Sequence, residues 1–201
     1  MFVATKKQAK TYVSEKAKEL NMPYVTERWL GGMLTNFSTI RKSLKKLSSI
    51  ENMQSQDSYT QDFSKKERLM ISRDKDKLER ALGGISTLNR IPAALFVVDI
   101  KHEEIAIQEA KKLNIPVYGM VDTNSDPNQI DFEIPSNDDS FTSVATIMDY
   151  ISAAIAEGLK EREKIKEEIR IKQEKEASEK EAKEKKEAEK QAKEAKKQVS
   201  K

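Results

Sequence analysis

Residues 93–98, with the sequence AALFVV, form a nearly continuous apolar run that begins directly after Pro92. A run of this length with no alternating polar residues is typical of a strand that is covered on both faces. A helical stretch at 103–113 and a second apolar run at 117–121 follow it along the chain. Because strands alternate with helices in this way, the sequence predicts an α/β fold with a parallel sheet and right-handed crossovers.

Segments on both sides of this region extend the alternation. The spacing of apolar residues predicts short strands at 2–4, 24–25 and 132–134, a helix at 7–20, and an amphipathic helix at 140–159. The predicted sheet therefore contains five strands.

Two further helical stretches lie between the second and third strands, and polar residues 51–62 between them are predicted to be a loop. Residues 64–67 match a capping box at the start of the second stretch, and a glycine pair at 83–84 ends it. Each stretch has one narrow apolar stripe, so each can bury that stripe only against the other. We expect an inserted, antiparallel coiled-coil hairpin at 36–85. The stripe residues are Phe37, Ile40, Leu44, Leu47, Ile71, Leu78, Leu82 and Ile85.

Charged residues make up 35% of the chain and are unevenly distributed. Residues 1–46 carry 10 basic and 3 acidic side chains, whereas residues 91–156 carry 3 basic and 11 acidic ones. The basic end is therefore the place to look for a polyanionic partner. The last 45 residues carry 16 basic and 13 acidic side chains, which predicts a solvated, partly frayed helix with no core of its own.

We expect three structural parts. They are an α/β domain formed by residues 1–35 and 86–159, the hairpin at 36–85, and a charged helical or disordered tail at 160–201.

Several classes of protein are disfavoured by what the sequence lacks. The chain has no cysteine, so it has no disulfide framework and no cysteine-based metal site. No apolar run reaches the ~18 residues of a membrane span, and no signal-peptide core follows Met1, so we expect a cytoplasmic protein. The single histidine, His102, stands among charged residues, and we expect it at the surface.

Aspartates after the buried strands are the only candidates for catalysis. Asp99 and Asp122 stand where α/β enzymes place catalytic carboxylates, but aspartate is also a common turn former and N-cap. If these aspartates are not simply turn formers, one possibility is a Mg²⁺ ion held by Asp122 and Asp126. The other is an enzyme that binds a nucleotide or a sugar phosphate near Thr5 and Asp99. No glycine-rich phosphate loop or partner nucleophile accompanies them, so no catalytic, cofactor-binding or metal-binding residues are predicted.

The sequence RWLGGMLTN at 28–36 holds the only tryptophan, next to an arginine and before a basic helix. An arginine–tryptophan pair offers a guanidinium fork for phosphates and a flat ring for base stacking, while a half-buried tryptophan beside a turn is the structural alternative. Basic residues that no neighbouring acid opposes predict salt-sensitive binding to folded RNA. The predicted RNA-binding residues are Lys6, Lys7, Lys10, Arg28, Trp29, Arg41, Lys42, Lys45 and Lys46.

Seven motifs closely resemble the bacterial small-subunit ribosomal protein S2 family. They are FVATKKQA at 2–9, PYV at 23–25, RWLGGMLTNF at 28–37, LGGI at 82–85, PAALFVVD at 92–99, VDTNSDP at 121–127 and IPSNDDS at 134–140. The resemblance covers residues 1 to about 159 in the right order and spacing. It implies a flavodoxin-like three-layer domain with a protruding coiled-coil hairpin.

The resemblance also implies a structural role, without catalysis, in which the protein binds small-subunit rRNA near the junction of head and body. The implied partners are this rRNA and other small-subunit proteins, including the large mRNA-binding protein, with no cofactor, small-molecule substrate or membrane. Chains of the family begin upstream with an RNA-contacting arm, and we expect this arm to be missing here. Three alternatives would explain a missing arm: the chain is a fragment, its start codon is misplaced, or its gene is truncated. A coiled-coil adaptor that uses the hairpin and tail is a further functional alternative.

Overall fold

The computed structural model describes residues 1–56, 59 and 63–199, with side chains described as far as residue 172. The chain divides into two compact units, Met1–Ser152 and Ala153–Lys201. The first unit contains the sheet and the hairpin, and the second is helical. No helix within the described residues combines the length and the apolar character that a membrane crossing requires.

Five strands form one parallel sheet in the order β2-β1-β3-β4-β5. This is the strand order of flavodoxin-like proteins, so the predicted fold class is confirmed. The strands are β1 (Phe2–Val3), β2 (Tyr24–Val25), β3 (Leu95–Val98), β4 (Val117–Val121) and β5 (Phe132–Pro135).

Helices connect the strands and cover both faces of the sheet. Right-handed crossovers that leave the centre of the sheet in opposite directions place the helix after β1 and the helix after β3 on opposite faces. The helices are α1 (Lys7–Glu19), α2 (Phe37–Gln54), α3 (Lys65–Leu82), α4 (Glu104–Lys112) and α5 (Phe141–Val199). Short 3₁₀ helices lie at Gly83–Ile85 and Pro127–Gln129.

The strands predicted from the two apolar runs are mostly buried, but β3 begins only at Leu95, after an exposed Ala93, and Tyr118 of β4 is exposed. All four residues of β3 are buried, and so are Val3 of β1 and Met120 of β4. On α1, the apolar residues of the predicted helical face, Ala9, Val13 and Ala17, are fully buried. The first turns of α5 contact α1, where the Tyr12 and Phe141 rings meet edge to face.

The helical hairpin has the predicted form with one difference, at the end of α2. Ser64 and Glu67 form the capping box, since the Glu67 amide donates to Ser64 Oγ and the Ser64 amide donates to the Glu67 carboxylate. The predicted loop at 51–62 is wrong at its start, because α2 continues to Gln54; residues 57, 58 and 60–62 lie outside the described residues. The tail is helical as far as Val199 and exposed at residues 160–172.

The hairpin returns to the sheet through a close backbone contact. A Cβ atom at Gly84 would lie 2.2 Å from the carbonyl oxygen of Tyr24 in β2, and 2.9 Å from its ring. A Cβ atom at Gly83 would have Glu79 Cγ as its nearest neighbour at 3.6 Å, which is an ordinary contact. Only the second glycine of the pair is therefore required by packing.

We expect Gly84→Ala to lower the free energy of unfolding by about 1–3 kcal/mol, because the methyl group collides with backbone that belongs to the sheet. Gly83→Ala is the matched control and leaves stability unchanged or slightly higher, since alanine favours helical backbone. Urea unfolding followed by circular dichroism measures both. Equal stability of the two variants would contradict the tight contact.

Candidate nucleic-acid interface

A buried carboxylate organises the stretch at 28–36. Glu109 on α4 is 6% exposed and accepts five hydrogen bonds from this loop. The donors to Oε1 are Trp29 Nε1 at 3.1 Å and the Gly32 amide at 2.7 Å. The donors to Oε2 are the Leu34 amide at 2.9 Å, the Thr35 amide at 3.1 Å and Thr35 Oγ1 at 3.2 Å. The loop therefore wraps around one side chain.

These donors keep Glu109 ionised. Burial alone would raise the pKa of Glu109, but the hydrogen bonds from Thr35, Leu34, Trp29 and Gly32 outweigh it and lower the pKa below its ordinary value. Among the described residues, no lysine or arginine forms an ion pair with this carboxylate. Its charge is balanced by the dipoles of four N–H groups and one hydroxyl group instead.

The hydrogen-bonded loop fixes the position of Trp29. The side chain is 5% exposed, and Met33 and Leu34 beside it are buried as well. The indole therefore packs inside the domain and presents no free face to a base. The interpretation of Trp29 as a buried tryptophan beside a turn therefore fits the structure better than the interpretation in which its ring stacks on an RNA base. Gly32 makes this turn at φ +86°, a conformation that favours glycine.

Glu109, which holds the loop at 28–36 in place, was missed by sequence reasoning. Its signal was an acidic residue on the apolar face of α4, where Ala106, Ile107 and Ala110 are buried. A carboxylate in such a position needs several donors, because an unpaired buried charge is strongly unfavourable. The pattern predicts that donors exist but does not say which distant segment supplies them.

Lys6 lies inside a cluster of aspartates. Its Nζ is 2.7 Å from Asp138, 2.6 Å from Asp139 and 3.2 Å from Asp99. Burial alone would lower the pKa of Lys6, but hydrogen bonds to Asp138, Asp139 and Asp99 raise it, so the ammonium stays charged. The premise that no acid opposes this lysine is therefore wrong. An RNA phosphate would have to compete with these three carboxylates for the Lys6 ammonium group.

The aspartates after β3 and β4 hold turns, as their structural interpretation predicted. Asp99 accepts from the amides of Lys101 and His102 at 3.1 and 3.0 Å. Asp122 accepts from the Thr123 amide at 2.6 Å, a hydrogen bond that lowers its pKa. His102 is exposed, as predicted, with Nδ1 2.8 Å from Thr5 Oγ1.

One group of carboxylates in the described part of the chain is close enough to hold a metal ion. Its members are Asp122, Asp138 and Asp139, whose oxygens lie within 4.8 Å of one another. Asp126, which the metal alternative paired with Asp122, instead caps a turn by accepting from the Asn128 amide at 3.0 Å. Since Lys6 already contacts Asp138 and Asp139, an ammonium ion partly supplies the charge that a metal would supply.

The other predicted RNA-binding residues divide by their partners. Lys10 pairs with Glu27 at 3.0 Å, and Lys46 lies 3.8 Å from Asp74 with both side chains more than half exposed. The prediction that no acid opposes these lysines is therefore wrong for Lys10, and Lys46 has only a long, exposed ion pair. Five cations are exposed and have no ion pair within the described residues: Lys7, Arg28, Arg41, Lys42 and Lys45.

Comparison with known proteins finds similar chains over most of the length. A family model described as Ribosomal protein S2 matches residues 1–158. The small ribosomal subunit protein uS2 of Cytophaga hutchinsonii is 56% identical over 177 residues, which are 88% of this chain and 69% of that relative. Proteins of the same name are 59% identical in Flavobacterium johnsoniae and 56% identical in Bacteroides thetaiotaomicron. Each match covers 162 residues, or 81% of this chain, and 63% and 58% of the two relatives. The chain thus spans 58% to 69% of the length of these relatives.

We expect Glu109→Gln to lower the free energy of unfolding by about 3 kcal/mol, because an amide group then faces backbone donors. Glu104→Gln on the exposed side of α4 is the control and changes stability by less than ~0.5 kcal/mol. Because the pKa of Glu109 is lowered in the folded protein, its contribution is present above the ordinary pKa of 4.5 and is lost as the pH falls through the folded value. The difference between wild type and Glu109→Gln should therefore shrink at acid pH. A difference that does not depend on pH would contradict an ionised Glu109.

Lys6→Met should lower the free energy of unfolding by about 3 kcal/mol, because it leaves neighbouring carboxylates without a cation. Lys7→Met, at the exposed neighbour, is the matched control and stays within ~0.5 kcal/mol of wild type. Urea unfolding at neutral and acid pH checks both. Protonation of the aspartates at low pH should restore part of the lost stability. Equal stability of the two variants at neutral pH would show that the cluster does not need its ammonium.

Proposed function

The chain belongs to the ribosomal protein S2 family, and we propose that it is a structural constituent of the small ribosomal subunit. In this role it binds small-subunit rRNA, resides on the ribosome and supports translation without catalysing a reaction. The observation that carries the proposal is the outer face of α2, where Arg41, Lys42 and Lys45 are exposed and have no ion pair among the described residues.

The arrangement of these cations suits the RNA backbone. Arg41 and Lys45 stand one helical turn apart, so they project from the same side of α2, and Lys42 lies beside them. Each phosphate that they neutralise releases counterions, which makes binding sensitive to salt. Such contacts fix position and orientation rather than sequence, as expected for docking to folded RNA by shape. Arg28 and Lys7 are two further exposed cations, outside α2.

The remaining structure serves as the scaffold in this proposal. The α/β domain of residues 1–35 and 86–159 carries the hairpin at 36–85, and the tail at 160–201 is an extension. Glu109 ties the loop before α2 to α4, so it sets where the basic helix begins. The RNA-facing surface is therefore built by a helix whose base is fixed from inside the domain.

Charge separation supports different surfaces for RNA and for proteins. Residues 91–156 carry 11 acidic and 3 basic side chains, so this region repels a polyanion. We assign contacts with other small-subunit proteins, the large mRNA-binding protein among them, to surfaces of this acidic region.

The alternative of a nucleotide- or sugar-phosphate-binding enzyme is not favoured. An α/β enzyme binds its ligand at the carboxyl ends of the strands, where this chain places Asp99, Asp138 and Asp139 around Lys6. Three carboxylates around one ammonium ion leave a net negative charge, which disfavours a phosphate. The coiled-coil adaptor differs in its expected salt dependence, because a buried apolar seam does not release counterions.

We expect the triple variant Arg41→Glu, Lys42→Glu and Lys45→Glu to lose most of its affinity for small-subunit rRNA. The slope of log K against log salt should fall by about 2–3, one for each lost phosphate contact. Filter binding over a salt series measures both quantities.

The matched control reverses three exposed lysines of the acidic region, Lys101, Lys111 and Lys112, with the same change in net charge. We expect this variant to bind nearly as wild type does. Equal losses in the two variants would show that net charge, rather than the α2 face, governs binding. Wild-type binding that does not depend on salt would favour the adaptor.

A further inference from the structure

A groove of about 450 Å³ lies between the loop at 27–30 and the second half of α3. Its residues, which we call the basic groove, are Glu27, Arg28 and Leu30 on the loop and Arg73, Asp76, Lys77, Arg80 and Ala81 on α3. None of the α3 residues was predicted to bind RNA from the sequence. The set lies entirely within the first compact unit.

The cations of the basic groove have no partners among the residues that the structure describes. Arg28, Arg73, Lys77 and Arg80 are exposed, and none forms an ion pair or side-chain hydrogen bond within the described residues. Asp76 stands four residues before Arg80, a spacing that allows an ion pair, yet the two do not pair. Glu27 is already engaged by Lys10 at 3.0 Å. Within the described part of the chain, the groove therefore has four cations and one carboxylate, Asp76, that are not paired.

The spacing and type of these cations favour an extended polyanion. Arg73, Lys77 and Arg80 recur at four and three residues, so they line one side of α3 over about 10 Å, more than a single phosphate spans. Three of the four cations are arginines, whose forked guanidinium groups match phosphate oxygens. Leu30 and Ala81 add apolar surface against which sugars and bases can pack.

The basic groove is separate from the α2 face. Arg41 and Lys45 line a different groove, which they share with Glu79 and Gly83 of the hairpin's return. The two grooves have no lining residue in common. The two sets of cations can therefore contact two different stretches of RNA.

We propose that the basic groove binds a second strand of small-subunit rRNA through its phosphates, apart from the contact made by α2. This inference rests on the proposed function, because it takes rRNA as the polyanion. In the assembled subunit the loop at 27–30 and α3 clamp the strand between them. RNA that binds at both grooves would also fix the orientation of the hairpin on the RNA.

Directed hydroxyl-radical cleavage tests the proposal, and the absence of cysteine makes single-cysteine variants specific. An iron chelate is attached at Asp76→Cys in the groove, at Lys42→Cys on α2 and at Lys112→Cys on α4. Each full-length variant is then assembled into small subunits. We expect Asp76→Cys to cleave rRNA at positions different from those cleaved from Lys42→Cys, and Lys112→Cys to give weak cleavage or none.

Binding measurements with rRNA alone provide the second readout. Arg73→Gln with Lys77→Gln should weaken binding at least about fivefold and lower the salt slope by about 1–2. The matched control, Lys65→Gln with Lys66→Gln at the exposed start of the same helix, should leave binding nearly unchanged.

Two results would overturn the inference and leave the proposed function intact. One is cleavage from Lys42→Cys but not from Asp76→Cys, and the other is equal effects of the two double variants. A groove occupied by another ribosomal protein would give the first result. If neither probe cleaves rRNA and wild-type binding is absent, the proposed function itself fails.

Discussion

The five hydrogen bonds to Glu109 are the interaction on which the arrangement of this protein depends. They join α4 to a loop that is 74 to 80 residues earlier in the chain. A buried carboxylate is unfavourable unless each oxygen receives donors, and here backbone amides, an indole and a hydroxyl supply them. Because most of these donors are backbone groups of the loop, the carboxylate specifies the path of the loop as well as its position. The loop leads directly into α2, so the same bonds set the base of the hairpin.

A second internal cluster has the opposite arrangement, a partly buried ammonium group, that of Lys6, surrounded by carboxylates. Lys6 follows β1, and the aspartates around it follow β3 and β5, so one ammonium ion links the carboxyl ends of three parallel strands. In doubly wound enzymes this edge of the sheet is where ligands bind. Here Lys6 occupies this edge by pairing with Asp99, Asp138 and Asp139, and the second carboxylate oxygen of Asp138, Oδ2, is buried without a hydrogen-bond partner among the described residues. Among the described residues, exposed cations without an ion pair include Arg41, Lys42 and Lys45 on α2 and Arg73, Lys77 and Arg80 along α3, and these are the surfaces that we propose for RNA.

The sequence predicts local features well and distant pairings poorly. The apolar runs at 93–98 and 117–121 identify strands β3 and β4, because a strand that is covered on both faces has apolar residues at consecutive positions of the sequence. The capping box at Ser64 is local too, since its partner Glu67 is three residues away, and the motifs that indicated the family are confirmed. Lys6 was misjudged because its acids are 93 to 133 residues away in the chain. Trp29 was ambiguous for the same reason, as its partner Glu109 lies on another element. The contacts of individual cations with RNA stay predictions.

The central claim is that internal carboxylates shape the base of the hairpin while its unpaired cations contact rRNA. Cryo-electron microscopy of small subunits assembled with this chain tests it most directly. The account predicts rRNA phosphates in contact with Arg41, Lys42 and Lys45, and a Glu109 carboxylate that still accepts from the loop at 28–36. A map in which these three side chains face solvent or protein, with RNA bound at the acidic region instead, would contradict it.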